Sequence, residues 1–359
     1  MQPVIDARKT EMRLRASRGK RVAQHTTAPA AGDARRAAST RGPPHARRGW
    51  RAARACGSLR GVRVLVTGAA GFVGSALLPK LSAAGFEPIG CDLELDVTDA
   101  AAVEAGVVRF APGAIVHLAA LSSVASSMQR AAQTYRVNFL GTWFVLEAAL
   151  RRAPRCRVLL VGSGEIYGSA PPSAAPHGEH APLQPRSPYA RTKACADLLG
   201  AVYAQRGLDV IRARPFNHTG PGQRDDFVAA SFARQIAEIE CGRRAPRMRV
   251  GNLDSLRDFL DVDDVVDAYT RLLGRAVPAD AYNVASGRGI SIGALLEGLL
   301  ALSSARPEIE VAAERLRPTD CLVGDASRLR AATGWAPRVP FSTTLERTLE
   351  DWRARVRAS

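Results

Sequence analysis

This 359-residue sequence predicts an α/β fold, a doubly wound parallel sheet with a smaller second α/β part, preceded by a basic tail. Three observations lead there. Apolar strand-like runs alternate with segments of helical spacing, a glycine-rich turn joins the first such strand to the first helix, and hydrophobic residues make up 46% of the chain, enough for a full core.

The tail comes first. Residues 1–60 hold fifteen Lys/Arg against three Asp/Glu, which is +12 of the formal +16 and leaves only +4 for the rest. The stretch is rich in Ala, Arg, Pro and Ser, has no sustained apolar period, and contains Arg41-Gly42-Pro43-Pro44-His45, which neither helix nor strand would accept. We expect it to be disordered. Three origins stay open for it: translation from an upstream start, a loose electrostatic tether to polyanions, or an organelle-type presequence. Because the basicity is local, no nucleic-acid role is expected of the folded part. No apolar stretch is long enough to span a bilayer, and no secretory leader pattern is found. The six cysteines are scattered without metal-type pairs, so free thiols, no metal and a cytoplasmic location are expected.

The first strand is expected at Val62–Thr67, followed by Gly68-Ala69-Ala70-Gly71-Phe72-Val73-Gly74 and a helix through Ala84. Gly68 supplies turn dihedrals, Gly71 lets a pyrophosphate approach the backbone, and Gly74 lets the helix lie close to the sheet. Free amides at Phe72, Val73 and Gly74 would then face the phosphates, the pattern of a Rossmann-type dinucleotide site. The next strand, Glu87–Cys91, ends in Asp92, placed to accept from adenosine ribose hydroxyls. A carboxylate there disfavours a 2′-phosphate, so the cofactor is expected to be NAD(H) or NADP(H), with NAD(H) favoured; turn capping by Asp92 is the competing reading. Asp96 and Val97 follow, and a third strand, Ala114–Leu118, runs into Ala119-Ala120, small residues suited to a passing dinucleotide. Ser122 and Ser123 are candidate donors to a ligand, or helix caps.

Tyr135–Arg152 has helical spacing, with Val137, Leu140, Phe144, Val145 and Ala148 expected in the core. A fourth strand, Val158–Val161, delivers Ser163 and Glu165 at the sheet end where open α/β folds place their chemistry. The sharpest signal is compositional. Only four of the 50 basic residues are lysines, and the one beyond Lys80 is Lys193, four residues after Tyr189. A helix sets the two side by side. An ammonium can bind a ribose and lower a phenol's pKa, which a rigid guanidinium fork does less readily.

In this order, Thr67-Gly68-x-x-Gly71-x-x-Gly74, Ser163 with Tyr167-Gly168, and Tyr189-x-x-x-Lys193 resemble the extended short-chain dehydrogenase/reductase family that modifies nucleotide sugars. The resemblance covers about residues 61–355. It implies Tyr189 as acid/base, Lys193 as ribose ligand and tuner of the phenol, and Ser163 as second donor. Arg214-Pro215-Phe216-Asn217-His218 and Gly251-Asn252-Leu253-Asp254 narrow it further, to the GDP-4-keto-6-deoxy-D-mannose reductases, which form GDP-D-rhamnose. The related GDP-mannose 4,6-dehydratases typically carry Ser-Pro-Arg-Arg where Gly220-Pro221-Gly222-Gln223 stands here, and an Arg-bearing insertion after the second strand that this chain lacks. Glu165 keeps the dehydratase reading open, since a Glu at this place removes the C5 proton in those enzymes. Another nucleotide-sugar epimerase or dehydratase, and a catalytically silent dinucleotide sensor, stay open beside it.

The resemblance further implies a GDP-sugar substrate held by Asn217, Arg257, Arg317 and Asp320, the arginines gripping the diphosphate and Asp320 meeting ribose or ordering Arg317. A homodimer through a helix bundle is also implied. Residues 61–215 are expected to form the dinucleotide-binding domain and 216–359 mainly the substrate region, with some chain returning. The remaining elements, a strand Leu208–Ala213, helix Asp263–Leu273, strand Tyr282–Ala285, helix Ile292–Leu302 and a closing helix near Thr344–Val356, read as scaffold, with Trp335 and Trp352 as packing anchors.

Overall fold

The computed structural model describes residues 60–171, 174–312 and 319–359. The expected tail, apart from Arg60, and Arg317 lie outside the described residues. Strands β1 (Arg63–Thr67), β2 (Glu87–Cys91), β3 (Ala114–His117), β4 (Arg157–Val161), β5 (Asp209–Pro215) and β9 (Ala281–Val284) form one parallel sheet in the order β2-β1-β3-β4-β5-β9. The order reverses between β1 and β3, the crevice where such sheets take ligands.

Parallel strands buried on both faces read as continuous apolar runs, because alternate side chains enter different cores. Val64 and Val66 point to the side covered by α1 (Phe72–Ala83) and α8 (Val262–Leu272), and Leu329 of α10 (Ser327–Thr333) joins them there. Leu65 and Ile115 join the opposite core with α2 (Ala100–Phe110), α5 (Gly141–Arg152) and α6 (Pro188–Gln205).

Beyond β5 the architecture changes. Strands β6 (Asn217–Thr219), β8 (Leu256–Asp261), β10 (Gly289–Ser291) and β12 (Cys321–Leu322) make a small mixed sheet centred on β8, and β7 (Arg247–Val250) pairs with β11 (Glu308–Val311). A third core gathers α7 (Val228–Glu240), α9 (Ile292–Ala301) and α11 (Phe341–Ala358), with Trp352 buried among them. Trp335 is also buried, its indole nitrogen donating to Asp264 O at 3.0 Å. Both tryptophans pack as expected.

One helix departs from its expected form. Ahead of α5 the chain already winds as α3 (Val124–Gln129) and α4 (Ala131–Tyr135), then makes a π-helical turn at Arg136–Leu140. The extra residue rotates the inward line, so Thr134, Asn138, Thr142 and Val145 are buried. Val137, Leu140 and Phe144, expected in the core with Val145 and Ala148, are only half-buried. A π-bulge frequently marks a functional site, and here it turns Asn138 inward. Asn138 Oδ1 accepts from Leu121 N at 2.8 Å while Nδ2 donates to Leu121 O and Thr192 Oγ1, tying the loop after β3 to α6.

Candidate active site

Gly68 leaves β1 with φ +71°, and a Cβ there would come within 2.7 Å of Ala119 N, so the turn lies against the end of β3. Gly71 precedes α1 without a capping side chain, and the first turn of α1 contains no acidic residue. The leading amides of Phe72, Val73 and Gly74 therefore face outward with the helix dipole behind them, which fits a diphosphate. Gly74 is needed for a reason different from the expected one. Its Cβ would sit 2.5 Å from the carbonyl oxygens of Gly68 and Ala69, so it accommodates the turn itself rather than the sheet. The Phe72 ring stacks on His218 at 6.0 Å, linking this turn to the β6 strand.

Asp92 ends β2 beside the same turn, its Oδ2 accepting from Ala70 N at 2.8 Å. The turn-capping reading of Asp92 is thereby met. Asp96 accepts from Thr98 N, and Val97 gives its side chain to the core, leaving only its backbone for a ligand. Leu118, Ala119 and Ala120 are half-buried at the mouth of β3. Ser123 caps α3, its Oγ accepting from Ser126 N at 3.2 Å, whereas Ser122 is exposed.

Ser163 follows β4 and caps a 3₁₀ turn, Gly164–Tyr167, accepting from Glu165 N. Tyr189 lies in the first turn of α6, which begins with a Ser187 cap and Pro188 in the position proline favours. The two elements bring their side chains near each other: the Ser163 hydroxyl pulls the phenol's pKa down, while the Glu165 carboxylate pushes it up. Lys193, one turn on, is 7% exposed and donates to Val161 O at 2.8 Å.

Burial pushes the Tyr189 phenol up to about 12, opposed by the Ser163 hydrogen bond and reinforced by Glu165. The Lys193 ammonium donates to a backbone carbonyl and is itself pulled down to about 8 by burial. The resting phenol is thus a firmly protonated acid.

Sequence reasoning missed a neighbour of Lys193. His117 is 3% exposed, accepts or donates at Nδ1 with Thr67 Oγ1 at 2.8 Å, and is held down to about 3 by burial and then by the Lys193 charge. It stays neutral. A histidine inside an otherwise apolar parallel strand was the available signal.

On the other side of the crevice, Asn217 stands half-buried on β6. Arg257 projects from β8, 20% exposed, with Nη1 on Asp320 Oδ1 at 2.8 Å; Asp320 Oδ2 accepts from Ser169. Asp320 thus orders Arg257, and only part of the Arg257 fork remains for a diphosphate.

A doubly wound sheet with a glycine-turn helix N-terminus, and Ser, Tyr and Lys converging at its carboxyl end, defines the short-chain dehydrogenase/reductase class. Comparison with known proteins narrows the class. The family model described as GDP-mannose 4,6 dehydratase matches residues 92–348. A GDP-6-deoxy-D-mannose reductase of Pseudomonas aeruginosa is 38% identical over 302 residues, 82% of this chain and 98% of that protein. A UDP-glucose 4-epimerase of Mycolicibacterium smegmatis is 31% identical over 314 residues, 81% of this chain and 99% of its own length. Among solved structures, RMD from Pseudomonas aeruginosa complexed with NADPH superposes with a TM-score of 0.75 at 36% identity, covering 82% of this chain and 99% of that one. The chain belongs to the GDP-mannose 4,6-dehydratase family of extended short-chain dehydrogenases/reductases.

Proposed function

We propose that this chain reduces the C4 ketone of GDP-4-keto-6-deoxy-D-mannose to GDP-D-rhamnose with a reduced nicotinamide dinucleotide. The observation that carries the reading is the convergence of Ser163, Tyr189 and Lys193 at the carboxyl end of the parallel sheet, beside the glycine turn of β1. A reduction needs an acid at the carbonyl oxygen, and Tyr189 with Ser163 would supply one. The similarity to a GDP-6-deoxy-D-mannose reductase supports the same direction.

The bound dinucleotide supplies the hydride. Gly68, Gly71 and the amides of Phe72, Val73 and Gly74 would hold its pyrophosphate, with Asp92, Asp96 and Val97 on one side and Leu118, Ala119 and Ala120 on the other. As the C4–H bond forms, the carbonyl π pair moves to oxygen and takes the Tyr189 proton, while the Ser163 hydroxyl donates to the same oxygen. Lys193, charged below about pH 8, offsets the phenolate left behind. Ser122, Ser123, Asn217, Arg257, Arg317 and Asp320 are proposed to hold the GDP-sugar, Arg257 lending its remaining donors to the diphosphate. Asp92 favours NADH over NADPH, since a 2′-phosphate facing its carboxylate would be repelled.

Glu165 supports a second reading. A carboxylate beside Tyr189 could remove a C5 proton, the step a dehydratase needs. Incubation with the keto sugar plus NADH or NADPH, and separately with GDP-mannose alone, decides. GDP-D-rhamnose from the first alone is expected; a keto product from the second would make the chain a dehydratase.

A second copy is proposed to cover the exposed Trp143 on α5 and Leu198 and Val202 on α6, giving a helix-bundle homodimer. A monomeric mass in sedimentation would remove it. The five described cysteines are all free, which supports a reducing cytoplasm as the site of action. Among the described residues no helix is long and apolar enough to cross a membrane.

A further inference from the structure

The reacting groups come from two elements with no covalent reason to keep register: Ser163 and Glu165 from the turn after β4, Tyr189 and Lys193 from α6. Beneath them lies a buried polar assembly that ties these elements together. Asp197, one helical turn past Lys193 and 1% exposed, takes a two-point grip from Arg214 of β5, Nε to Oδ1 at 2.9 Å and Nη2 to Oδ2 at 2.7 Å. The third nitrogen of the same guanidinium, Nη1, donates to Tyr167 Oη at 2.7 Å and to Glu179 O at 2.9 Å. Tyr167 closes the 3₁₀ turn that begins at Ser163, and its hydroxyl donates onward to Asn283 Oδ1 of β9 at 2.7 Å. Its ring is stacked between His177 at 5.2 Å and Phe216 at 6.1 Å.

The Arg214 fork therefore joins α6 to the Ser163 turn, its three nitrogens shared between Asp197 and Tyr167, while Arg212 Nη1 adds a further bond to Asp197 Oδ2 at 3.0 Å. Only arginine can do this, because the five donors are fixed in one plane. The turn has little other freedom: a Cβ at Gly164 would meet the Phe216 ring at 3.0 Å. We propose that Arg214 and Tyr167 are positioning residues, which set the Ser163 and Glu165 turn against the Tyr189 helix and so fix the Ser163–Tyr189 contact on which reduction depends. The proposal rests on the reductase reading for its kinetic consequence. It does not rest on it for the geometry, since every contact of the clamp lies within the chain.

The test is Tyr167→Phe, which keeps the stacked ring and removes one hydroxyl, with Arg214→Lys as a second variant that keeps a cation against Asp197 but cannot span both partners. Urea denaturation first establishes that each variant folds. A misplacement near 1 Å costs on the order of 100-fold in rate, so kcat with the keto sugar should fall by about 10- to 100-fold in Tyr167→Phe while KM changes less than about 2-fold. The structural readout uses protein carrying ¹³Cζ-tyrosine, with the Tyr189 resonance assigned through Tyr189→Phe. That resonance should move in both variants. An unmoved Tyr189 signal, or a folded Tyr167→Phe with wild-type kcat, overturns the clamp. Should wild-type protein show no turnover, the reductase reading fails, and the resonance alone still decides the positioning claim.

Discussion

Replacing Lys193 with methionine should leave the folded protein as stable as wild type, or more so, while abolishing turnover. Burial sets the size of the effect. An ordinary lysine titrates at 10.5, and the fold pulls Lys193 to about 8. At about 1.4 kcal/mol for each tenfold change, holding the ammonium charged costs the folded state about 3 kcal/mol. Methionine fills similar space without that cost, but leaves Val161 O without the 2.8 Å hydrogen bond, a loss of about 1–3 kcal/mol. The balance at pH 7 lies between parity and about 2 kcal/mol in favour of the variant. The pH dependence is sharper. Below pH 8 both the folded and the unfolded wild type carry the Lys193 proton, so the penalty is complete. Between 8 and 10.5 the unfolded chain keeps a proton that the folded one has released, and wild-type stability therefore rises with pH. Above 10.5 neither form carries it. Urea denaturation of both proteins in steps from pH 7 to 10.5 should show the variant's advantage shrinking by about 3 kcal/mol. A difference that stays level across that range would refute this, because it would mean the ammonium is not desolvated.

Tyr189→Phe should lower kcat by about 100- to 10,000-fold with dinucleotide affinity preserved, since the lost group is the acid and not a ligand; stopped-flow and fluorescence titration separate the two. Lys193→Arg should also be severely impaired in steady-state turnover, because the larger planar guanidinium must enter the buried space that the compact ammonium fills beside Val161 O. Gly74→Ala places a methyl 2.5 Å from two carbonyl oxygens and should cost more than about 10-fold in NADH affinity, read by protein-to-cofactor energy transfer, in a chain that still folds. Arg157→Met strips Asp209 of its buried partner and three carbonyls, those of Leu272, Gly274 and Val277, of a donor. It should destabilise by about 3–5 kcal/mol in urea while kcat per folded molecule is unchanged.

The β1 turn and the Tyr189–Lys193 pair were readable because their signals are local. Three glycines between an apolar run and a helix, and a lysine in an arginine-rich chain, need no tertiary knowledge. The six strands of the parallel sheet were legible for the same reason, being short apolar runs closed by Gly or polar residues, whereas β6, β7 and β8 were not. The π-turn at Arg136–Leu140 was not, because one added residue leaves the apolar spacing nearly intact while rotating which side faces inward. Asp320 illustrates a different limit. Its pairing with Arg257 follows from β12 lying beside β8, a neighbourhood no local run of residues displays. The Arg214 assembly joins residues from the turn after β4, from α6, β5 and β9, and no window along the chain contains them together. The burial of the Tyr189 phenol and the carbonyl that takes the Lys193 hydrogen bond were likewise out of reach, because both depend on elements distant in sequence.

Hydride delivery to C4 of the sugar, with Tyr189 protonating the oxygen, is the step on which the proposed function stands. Single-turnover reaction of GDP-4-keto-6-deoxy-D-mannose with NADH deuterated at the transferred position tests it most directly, with the product read by NMR. One deuterium at C4 in the wild-type product, and none within the same time in Tyr189→Phe, is the expected result. Deuterium at another carbon, or an undiminished rate in Tyr189→Phe, would contradict it.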